Sequence, residues 1–414
     1  MLFHEIDISE KEKKYVLETL DSGEISGRGK HTKRVEKQVE KILSADKVLM
    51  TTSGTHALEL AIRLCNIGPG DEVLMPSYTF PSTANAVLAV GAKPVFTQVD
   101  NQSLCISSKE IEKYINKKTK AVIAVHYGGI CHDLDVLAQL CQKHKIKLIE
   151  DAAQAFGSKY KGKALGTYGD YGCLSFHGTK NDVAGEGGAL VIPRVKPDNY
   201  IDVELAERMI EKGTDRIAFL RGDRNKYEWQ GYGSSYVPSD LLMALLRGQL
   251  ESFESRMEKR REIVSTYINT LSKYSNQGVK CFMGFNGEYQ TDIQKNRNLE
   301  ATAYSNQKLS SSVHETQSAG KSNGHVFYLI FETVSKAKLF KKIMDETQIP
   351  IRQHFVPLHV SKMGEKLGYS KDQFPYEKDI FERLYRLPVH SKLNKNDIEH
   401  IVQSVERAIQ RCNL

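Results

Sequence analysis

The chain has 414 residues, of which 40% are hydrophobic and 26% are charged, and its formal net charge is +7. This length allows two domains with a large core, and the composition is typical of an ordinary globular protein. The apolar runs are too short for a membrane span, and residues 1–7 lack the basic and apolar segments of a signal peptide, so we expect neither.

Two helices open the predicted order of elements. Helical spacing covers Ser9–Ser22 and Thr32–Leu43, and Ser9 is placed to cap the first of them. The stretch Ser22–Gly29 between them is predicted as a loop. It contains a Gly-x-Gly, but no helix-opening third glycine follows, so we reject a dinucleotide-binding motif there.

From residue 48 onward, short apolar strands alternate with helices. The predicted strands are Val48–Met50, Glu72–Met75, Pro94–Phe96, Ala121–Val125 and Lys147–Glu150. The predicted helices are His56–Cys65, Ser82–Val90, Ser108–Ile115 and Leu134–His144. This alternation indicates an α/β fold whose largely parallel sheet is covered by helices on both faces.

Polar and aromatic residues follow each of these strands. They are Ser53-Gly54-Thr55, Ser77–Phe80, His126-Tyr127, Asp151 and, after a further strand at Cys173–Phe176, His177–Lys180. Because open parallel sheets bind ligands at the carboxyl ends of their strands, we expect these residues to converge on one site.

The last third of the chain predicts a smaller α+β domain. The chain that leads to it is predicted to contain a helix at Val203–Glu211, a structured loop at Arg221–Tyr236 and a long helical pattern at Ser239–Leu271. A strand at His325–Phe331 and helices at Lys336–Thr347 and Lys395–Ile409 follow. The stretch Met283–Gly324 is polar and lacks periodicity, which predicts a mobile insertion. We place the large domain at residues 1–250 and the small domain at residues 251–414, with the long helical pattern linking them.

Asp151 and Lys180 together suggest pyridoxal phosphate (PLP). This cofactor needs a lysine for its aldehyde and a carboxylate for its pyridinium nitrogen. Lys180 precedes the glycine-rich Gly185–Gly188, which would let the chain turn sharply. The alternatives are a helix cap for Asp151 and an exposed loop lysine for Lys180. The strand-end position of both residues favours the cofactor.

Other residues fit the same interpretation. Gly54 and Thr55 begin a helix directly after a strand, where backbone N–H groups and a hydroxyl can hold a phosphate, although a simple cap is the alternative. Ser175 could add a phosphate contact. Gln154 could bond the ring oxygen of the cofactor, and otherwise is an ordinary surface glutamine.

An aromatic side chain could stack on the cofactor ring. Phe80 and Tyr78 are the candidates, because an apolar platform aligns the ring and excludes water. For either residue taken singly, a place in the hydrophobic core is an equally good interpretation.

Charge and cysteine usage restrict the partners. The basic clusters at Lys11–Lys14, Lys30–Arg34 and Arg256–Arg261 are interpreted as solvated helix faces, since no nucleic-acid module accompanies them. A basic surface also suits an anionic small substrate such as a sugar nucleotide. The seven cysteines lack pairing or metal-ligand spacing, so we predict reduced thiols in a cytoplasmic protein and no metal site.

With these residues in view, the chain resembles the PLP-dependent sugar aminotransferases of the DegT/DnrJ/StrS family, which have the aspartate aminotransferase fold. The matching segments are GDEVLMPSYTFPSTANAV, AVHYGG, IEDAAQAFGSKYKGKALGTYGDYGCLSFHGTKN, GEGGAL and HFVPLH, and the resemblance covers nearly the whole chain. Two segments are more similar to the branch that aminates dTDP-linked 4-keto-6-deoxyhexoses. They are FLRGDRNKYEWQGYGSSYVPSDL and MPSYTFPSTANAV.

The resemblance implies a role for each site residue. It makes Lys180 the Schiff-base lysine and Asp151 the partner of the pyridinium nitrogen. The remaining cofactor contacts that it implies are Gln154 beside the ring, Phe80 stacked on it, and Gly54, Thr55 and Ser175 on the phosphate. Many members have an asparagine that reaches the phosphate of the neighbouring subunit, and here Ser235 takes that position while Val237 replaces a nearby arginine. The resemblance thus implies a homodimer with its sites at the interface.

The implied reaction is the transfer of an amine from L-glutamate to a dTDP-linked keto sugar for cell-surface polysaccharide synthesis. Amination at C3 instead of C4 is an alternative. A sugar dehydratase of the same fold is another, but such enzymes have a histidine in place of the lysine, and Lys180 is present. A non-catalytic regulator is a third, and no DNA-binding module supports it.

Overall fold

The computed structural model describes residues 1–194, 200–285 and 320–412. Except for its two ends, the predicted insertion at 283–324 lies outside these residues. The strands are β1 Lys47–Thr51, β2 Glu72–Pro76, β3 Lys93–Thr97, β4 Thr119–Val125, β5 Lys147–Asp151, β6 Lys159–Tyr160, β7 Lys163–Ala164, β8 Tyr171–Ser175, β9 Gly188–Ile192, β10 Val279–Cys281, β11 Gly320–Lys321, β12 Phe327–Phe331 and β13 Leu384–Leu387.

Helices make up most of the remaining regular structure. They are α1 Glu10–Ser22, α2 Lys30–Leu43, α3 Gly54–Leu64, α4 Pro81–Leu88, α5 Ser108–Glu112, α6 Leu134–His144, α7 Tyr200–Ile210, α8 Arg216–Arg221, α9 Asp240–Glu251, α10 Phe253–Leu271, α11 Val334–Glu346, α12 Lys362–Lys366, α13 Pro375–Arg383 and α14 Lys395–Cys412. Short 3-10 turns occupy Tyr127–Gly129, Ser272–Gln277 and Leu358–Val360.

A seven-stranded sheet in the order β1-β9-β8-β5-β4-β2-β3 forms the centre of the larger part. β8, β5, β4, β2 and β3 run parallel, as predicted. β9, which sequence reasoning missed, is antiparallel to both its neighbours, β1 and β8. Its glycine-rich start was interpreted only as a turn, which concealed the apolar residues that follow.

Helices cover both faces of this sheet, so its strands are buried on both sides. Successive residues of β4 alternate between two hydrophobic clusters. Val122 belongs to a cluster with α2, α6 and α9, and Ile123 belongs to a cluster with α3, α4 and α7. This alternation explains why the strands are continuous apolar runs in the sequence.

The predicted helix Ser239–Leu271 is two helices. The backbone of Ser252 leaves the helical region at φ −111° and ψ 15°, so α9 ends and α10 begins in a new direction. The turn allows Phe253 to pack on Phe156, with ring centroids 5.1 Å apart. The domain boundary predicted after residue 250 lies close to this break and stays a prediction.

The basic cluster Arg256–Arg261 is not a solvated helix face. Arg256 and Arg260 are buried, at 8% and 3% exposure. Arg256 Nη2 donates to Asp182 Oδ1 at 2.8 Å, and Arg260 Nε donates to the Gly324 carbonyl at 3.2 Å. The interpretation was wrong because charge patterning along one helix does not reveal the partners that other segments supply.

A smaller antiparallel sheet, in the order β10-β12-β13, packs with α11 and α13, and the ring of Tyr267 in α10 lies 5.1 Å from the ring of Phe327 in β12. A third sheet pairs β11 with β6, and β6 with β7, at the edge of the larger part. Within the described ranges, no helix combines the length and hydropathy that crossing a bilayer requires. All seven cysteines lie in the described residues, and none of them forms a disulfide bond with another.

Candidate active site

A cavity of about 550 Å³ lies at the carboxyl ends of the central strands, between the larger sheet and β13. Seven of the predicted site residues line it. They are Gly54, Thr55, Phe80, Asp151, Gln154, Ser175 and Lys180. The expected convergence of strand-end residues on one site is therefore what the fold produces.

Asp151 is the last residue of β5 and is 6% exposed. No helix follows it, so it is not a helix cap. Its Oδ2 accepts a hydrogen bond from Thr83 Oγ1 at 2.8 Å, and its Oδ1 accepts one from the Ala153 N–H at 3.3 Å. Burial raises the pKa of Asp151, and these two donors and the nearby Lys180 oppose that rise.

Lys180 lies in the turn after β8, where its N–H donates to the His177 carbonyl at 2.9 Å. The side chain lines the cavity, which contradicts an exposed loop lysine. Burial lowers the pKa of Lys180 from 10.5 to about 8; Asp151 acts against this shift, and Arg386 adds to it. An amine with this pKa is neutral often enough near pH 7 to act as a nucleophile.

The first turn of α3 forms one wall. Ser53 caps it by accepting the His56 N–H at 3.1 Å, and Thr55 Oγ1 lies 2.7 Å from Ser82 Oγ. A Cβ atom on Gly54 would be 3.0 Å from the Cβ of Ser175, so glycine is needed for helix and strand to approach each other. The helix N-terminus and its hydroxyls form a cradle suited to an anion.

Gln154 and Phe80 occupy other parts of the wall. Gln154 Oε1 accepts the Gly128 N–H at 2.8 Å, which leaves its NH₂ group as a donor. It lies in the tight turn that follows β5. Phe80 is 59% exposed and faces the cavity, whereas Tyr78 is buried and donates to the His354 carbonyl. Of the two aromatic candidates, only Phe80 is available to a ligand.

Ser235 does not line the cavity of its own chain. It is exposed and forms a β-bridge with Glu211. Its predicted role is a contact to the neighbouring subunit, and that role stays a prediction.

Sequence reasoning missed several groups that line the cavity. They are Phe3, His4, Arg260, His325, Arg352, His354 and Arg386. Most come from the small sheet and its loops, and the chain gives no local sign of where those loops will pack. Burial lowers the pKa of His325 and His354 far below the ordinary range, so both rings are neutral and the arginines supply the positive charge.

The residues present fit PLP. A buried carboxylate, a lysine with a lowered pKa, an exposed aromatic face, a glutamine donor and a helix N-terminus with hydroxyls surround a single cavity. These are the groups that hold a pyridine nitrogen, an aldehyde, a ring face, a ring oxygen and a phosphate. Within the described ranges, no cluster of three metal-binding side chains competes with this interpretation.

Comparisons with known proteins agree with this site. Residues 6–284 and 288–406 match the profile of the DegT/DnrJ/EryC1/StrS aminotransferase family. The chain is 30% identical to the spore coat polysaccharide biosynthesis protein SpsC of Bacillus subtilis, covering 97% of this chain and 95% of that protein. It is 29% identical to the GDP-perosamine synthase of Vibrio cholerae, covering 97% of each.

The fold is also that of a solved structure. The PLP-form of the putative sugar aminotransferase Spr1654 from Streptococcus pneumoniae superposes with a TM-score of 0.83 and 24% identity, covering 100% of this chain and 99% of that one. At this identity the match supports the fold alone.

Proposed function

The chain belongs to the DegT/DnrJ/EryC1/StrS family of PLP-dependent sugar aminotransferases, and from that premise we propose that it transfers an amine from L-glutamate to dTDP-4-keto-6-deoxy-D-glucose. The product would be dTDP-4-amino-4,6-dideoxygalactose, used for cell-surface polysaccharide. The main support for the proposal is that Lys180 and Asp151 line the same cavity, at the ends of β8 and β5.

Each residue of the site would have a separate role in this reaction. When bound, PLP supplies the aldehyde that takes up the amine and the ring that withdraws electrons from the reacting carbon. Asp151 keeps a proton on the ring nitrogen. Once the incoming amine has displaced the Lys180 side chain, Lys180 moves a proton to and from the reacting carbon. Phe80 covers the ring face, while Gly54, Thr55 and Ser175 hold the phosphate.

The choice of sugar rests on the segments around Pro76 and Phe219, which resemble the branch that aminates dTDP-linked 4-keto-6-deoxyhexoses. The charge of the cavity supports an anionic substrate, because three arginines line it against two carboxylates, Asp151 and Glu186. A ping-pong order is expected, because one lysine serves both halves of the reaction. Glutamate deposits its amine and leaves as 2-oxoglutarate before the sugar enters.

We further propose a cytoplasmic homodimer with Ser235 reaching the cavity of its partner. In the loop before Ser235, the exposed fractions of Trp229, Tyr232 and Tyr227 are 79%, 59% and 48%. Aromatic side chains this exposed support a surface that a second copy covers. Seven cysteines without a disulfide bond between them support a reducing compartment. Light scattering that finds an active monomer would contradict the dimer.

The deciding experiment separates the two half-reactions. Enzyme loaded with PLP is first given glutamate alone, and one equivalent of 2-oxoglutarate per site is expected. The sugar is added next, as the dTDP-linked or the GDP-linked 4-keto-6-deoxyhexose in parallel, and the product is identified by NMR. Release of 2-oxoglutarate only after sugar is added would overturn the ping-pong order, and turnover of the GDP sugar alone would overturn the nucleotide assignment.

The same NMR spectrum tests the position of the new amine. Amination at C3 would replace the proposed C4 chemistry with that of a 3-aminotransferase. Loss of a hydroxyl without gain of nitrogen would indicate a dehydratase.

A further inference from the structure

The N-terminal segment of the chain crosses the turn at residues 177–180, which carries Lys180. His4 Nε2 lies 2.7 Å from the carbonyl oxygen of Gly178, two residues before the lysine. Because a carbonyl oxygen can only accept a hydrogen bond, Nε2 carries the ring hydrogen and donates it. A Cβ atom on Gly178 would be 3.7 Å from Ile6 Cδ1, so the segment also packs against the turn.

The other hydrogen bonds within this turn are local. The Gly178 N–H donates to the Gly185 carbonyl at 2.8 Å, and the Lys180 N–H donates to the His177 carbonyl at 2.9 Å. In the part of the chain that the structure describes, the bond from His4, 174 residues away from Gly178 in sequence, is the one hydrogen bond that ties the turn to a distant segment.

The chain that follows Lys180 is fixed separately. Asn181 Oδ1 lies 2.8 Å from His325 Nδ1, so the residue after the lysine is held by the loop before β12. His4 is therefore the distant anchor on the side of the chain that precedes Lys180. The lysine lies between these two anchors.

The N-terminal segment is itself attached on the carboxyl side of His4. Glu5 Oε1 pairs with Lys392 Nζ at 2.5 Å, and the Asp7 carbonyl accepts a hydrogen bond from Gln249 Nε2 at 2.8 Å. These contacts hold the segment in place without the His4 ring. A substitution of His4 can therefore remove the bond to the turn and leave the segment where it is.

The His4 ring adds no charge beside Lys180. Burial lowers the pKa of His4 from 6.5 to about 4, the nearby Arg260 lowers it further, and the bond to the Gly178 carbonyl opposes the shift. The ring is therefore neutral near pH 7. Because a second cation is absent from this position, His4 fixes the backbone of the turn without changing the electrostatics of the lysine.

The position of the lysine matters for its chemistry. A group that bonds an aldehyde and then moves a proton must lie in a narrow range of positions, and a displacement of about 1 Å can cost roughly 100-fold in rate. A turn held only by its own local bonds can shift as a unit, and a bond to a distant segment restricts that shift.

We propose that His4 is a positioning residue for Lys180, and that it holds the turn through its hydrogen bond to the Gly178 carbonyl. The inference rests on the proposed function, since it takes Lys180 as the reacting lysine from there. It assigns His4 no contact with the amino donor or the sugar.

The first test uses the cofactor-free protein and measures no activity. Phenylalanine at position 4 keeps a ring and removes the donor. Hydrogen exchange in a peptide that covers the turn should be about 2- to 10-fold faster in His4→Phe than in wild type. Labelling of Lys180 by an amine-specific reagent should have its midpoint above the wild-type value of about 8 and closer to 10.5, because a looser turn admits water to the amine.

The second test measures the donor half-reaction of the PLP-loaded enzyme. The single-turnover rate of 2-oxoglutarate release from glutamate should fall by roughly 10- to 100-fold in His4→Phe. The glutamate concentration that gives half of the maximal rate should stay within about twofold of wild type, because His4 positions the lysine and does not bind the donor.

Matched variants separate the donor bond from other effects. His4→Gln places an amide N–H donor near the same position and should recover most of the rate and the wild-type labelling midpoint. Glu5→Gln weakens the attachment of the segment to Lys392 and should have little effect, because the Asp7 contact remains. His400→Phe, at an exposed position of α14, should change neither readout.

Three results would overturn the inference. The first is a labelling midpoint and a donor rate in His4→Phe that match wild type. The second is a His4→Gln variant as defective as His4→Phe, and the third is an equal defect in Glu5→Gln, which would assign the effect to the whole segment. Failure of the proposed function is distinguishable, because wild-type enzyme would then release no 2-oxoglutarate, while exchange and labelling would still report the His4 bond.

Discussion

The hydroxyl of Thr83, in α4, donates a 2.8 Å hydrogen bond to the Asp151 carboxylate at the end of β5. Thr83 is itself buried and lies 2.9 Å, Oγ1 to Oγ1, from Thr79. The contact stabilises the ionised form of a carboxylate whose burial raises its pKa. It also joins the helix that follows Phe80 to the strand that carries Asp151.

Thr83→Val keeps the shape of the side chain and removes this donor. The pKa of Asp151 should rise further, so the acidic limb of the pH–activity profile should move to higher pH, with several-fold loss of kcat on that side. A pH–rate profile measures the shift. Thr266→Val, which removes an exposed helical hydroxyl, should leave the profile in place. An unchanged acidic limb in Thr83→Val would show that the bond does not tune Asp151.

Asp151→Asn should still fold and bind PLP, yet lose turnover by roughly 10³-fold or more. A neutral amide cannot hold a proton on the ring nitrogen, so the electron-withdrawing chemistry weakens. Steady-state kcat together with bound-cofactor content measures both parts. Turnover within a few-fold of wild type would contradict the role assigned to Asp151.

Lys180→Ala should abolish transamination, because the cavity then has no amine to bond the aldehyde or to move the proton. Release of 2-oxoglutarate and the lysine-dependent absorbance of the cofactor should both disappear. Lys117→Ala, at an exposed surface position, is the matched control and should retain both. Full activity of Lys180→Ala would disprove the assignment.

The nucleophilicity of Lys180 in the cofactor-free protein should titrate near pH 8 instead of near 10.5, because burial lowers its pKa. The rate of labelling by an amine-specific reagent, resolved by peptide mass spectrometry, should therefore rise with pH around a midpoint of about 8. Arg386→Gln should raise this midpoint, since it removes a nearby cation, and Asp151→Asn should lower it, since it removes an anion. Shifts of equal sign would contradict this electrostatic account.

Glu150→Gln should destabilise the protein by about 3–5 kcal/mol. The Glu150 carboxylate is 0% exposed and accepts the N–H groups of Gly166, Tyr168 and Gly169 at 2.5–2.7 Å, with His126 Nε2 at 2.8 Å. A glutamine would turn an NH₂ group toward some of these donors. Denaturant unfolding measures the loss, with the exposed Glu382→Gln as control. A loss below 1 kcal/mol would show that the cluster relaxes around the amide.

The fold was predictable because each strand of the parallel sheet is buried on both faces and therefore forms an apolar run. Lys180, Asp151 and Gly54 were predictable for a related reason, since strand ends meet at one edge of such a sheet. The same reasoning could not find Arg386. It lies in a short strand of the small sheet, and only the packing of that sheet against the larger one brings it near Lys180.

Thr83 and Ser252 illustrate a second limit. The hydroxyl of Thr83 reaches Asp151 only because α4, which packs against β2 and β3, begins near the end of β5, so no local pattern marks it. Ser252 interrupts a helical pattern whose apolar spacing continues almost unbroken on both sides, and the change of direction serves the burial of Phe253. Both depend on contacts between residues far apart in sequence.

The antiparallel placement of β9 has a consequence for the order of synthesis on the ribosome. In the described sheet β1 is an edge strand that pairs only with β9, which begins at Gly188. Because the ribosome adds about 5–20 residues per second, on the order of ten seconds pass between the synthesis of β1 and that of β9. During that time Val48, Leu49 and Met50 form an apolar strand with unpaired backbone groups, so the nascent chain at this stage is a natural client for a ribosome-associated chaperone.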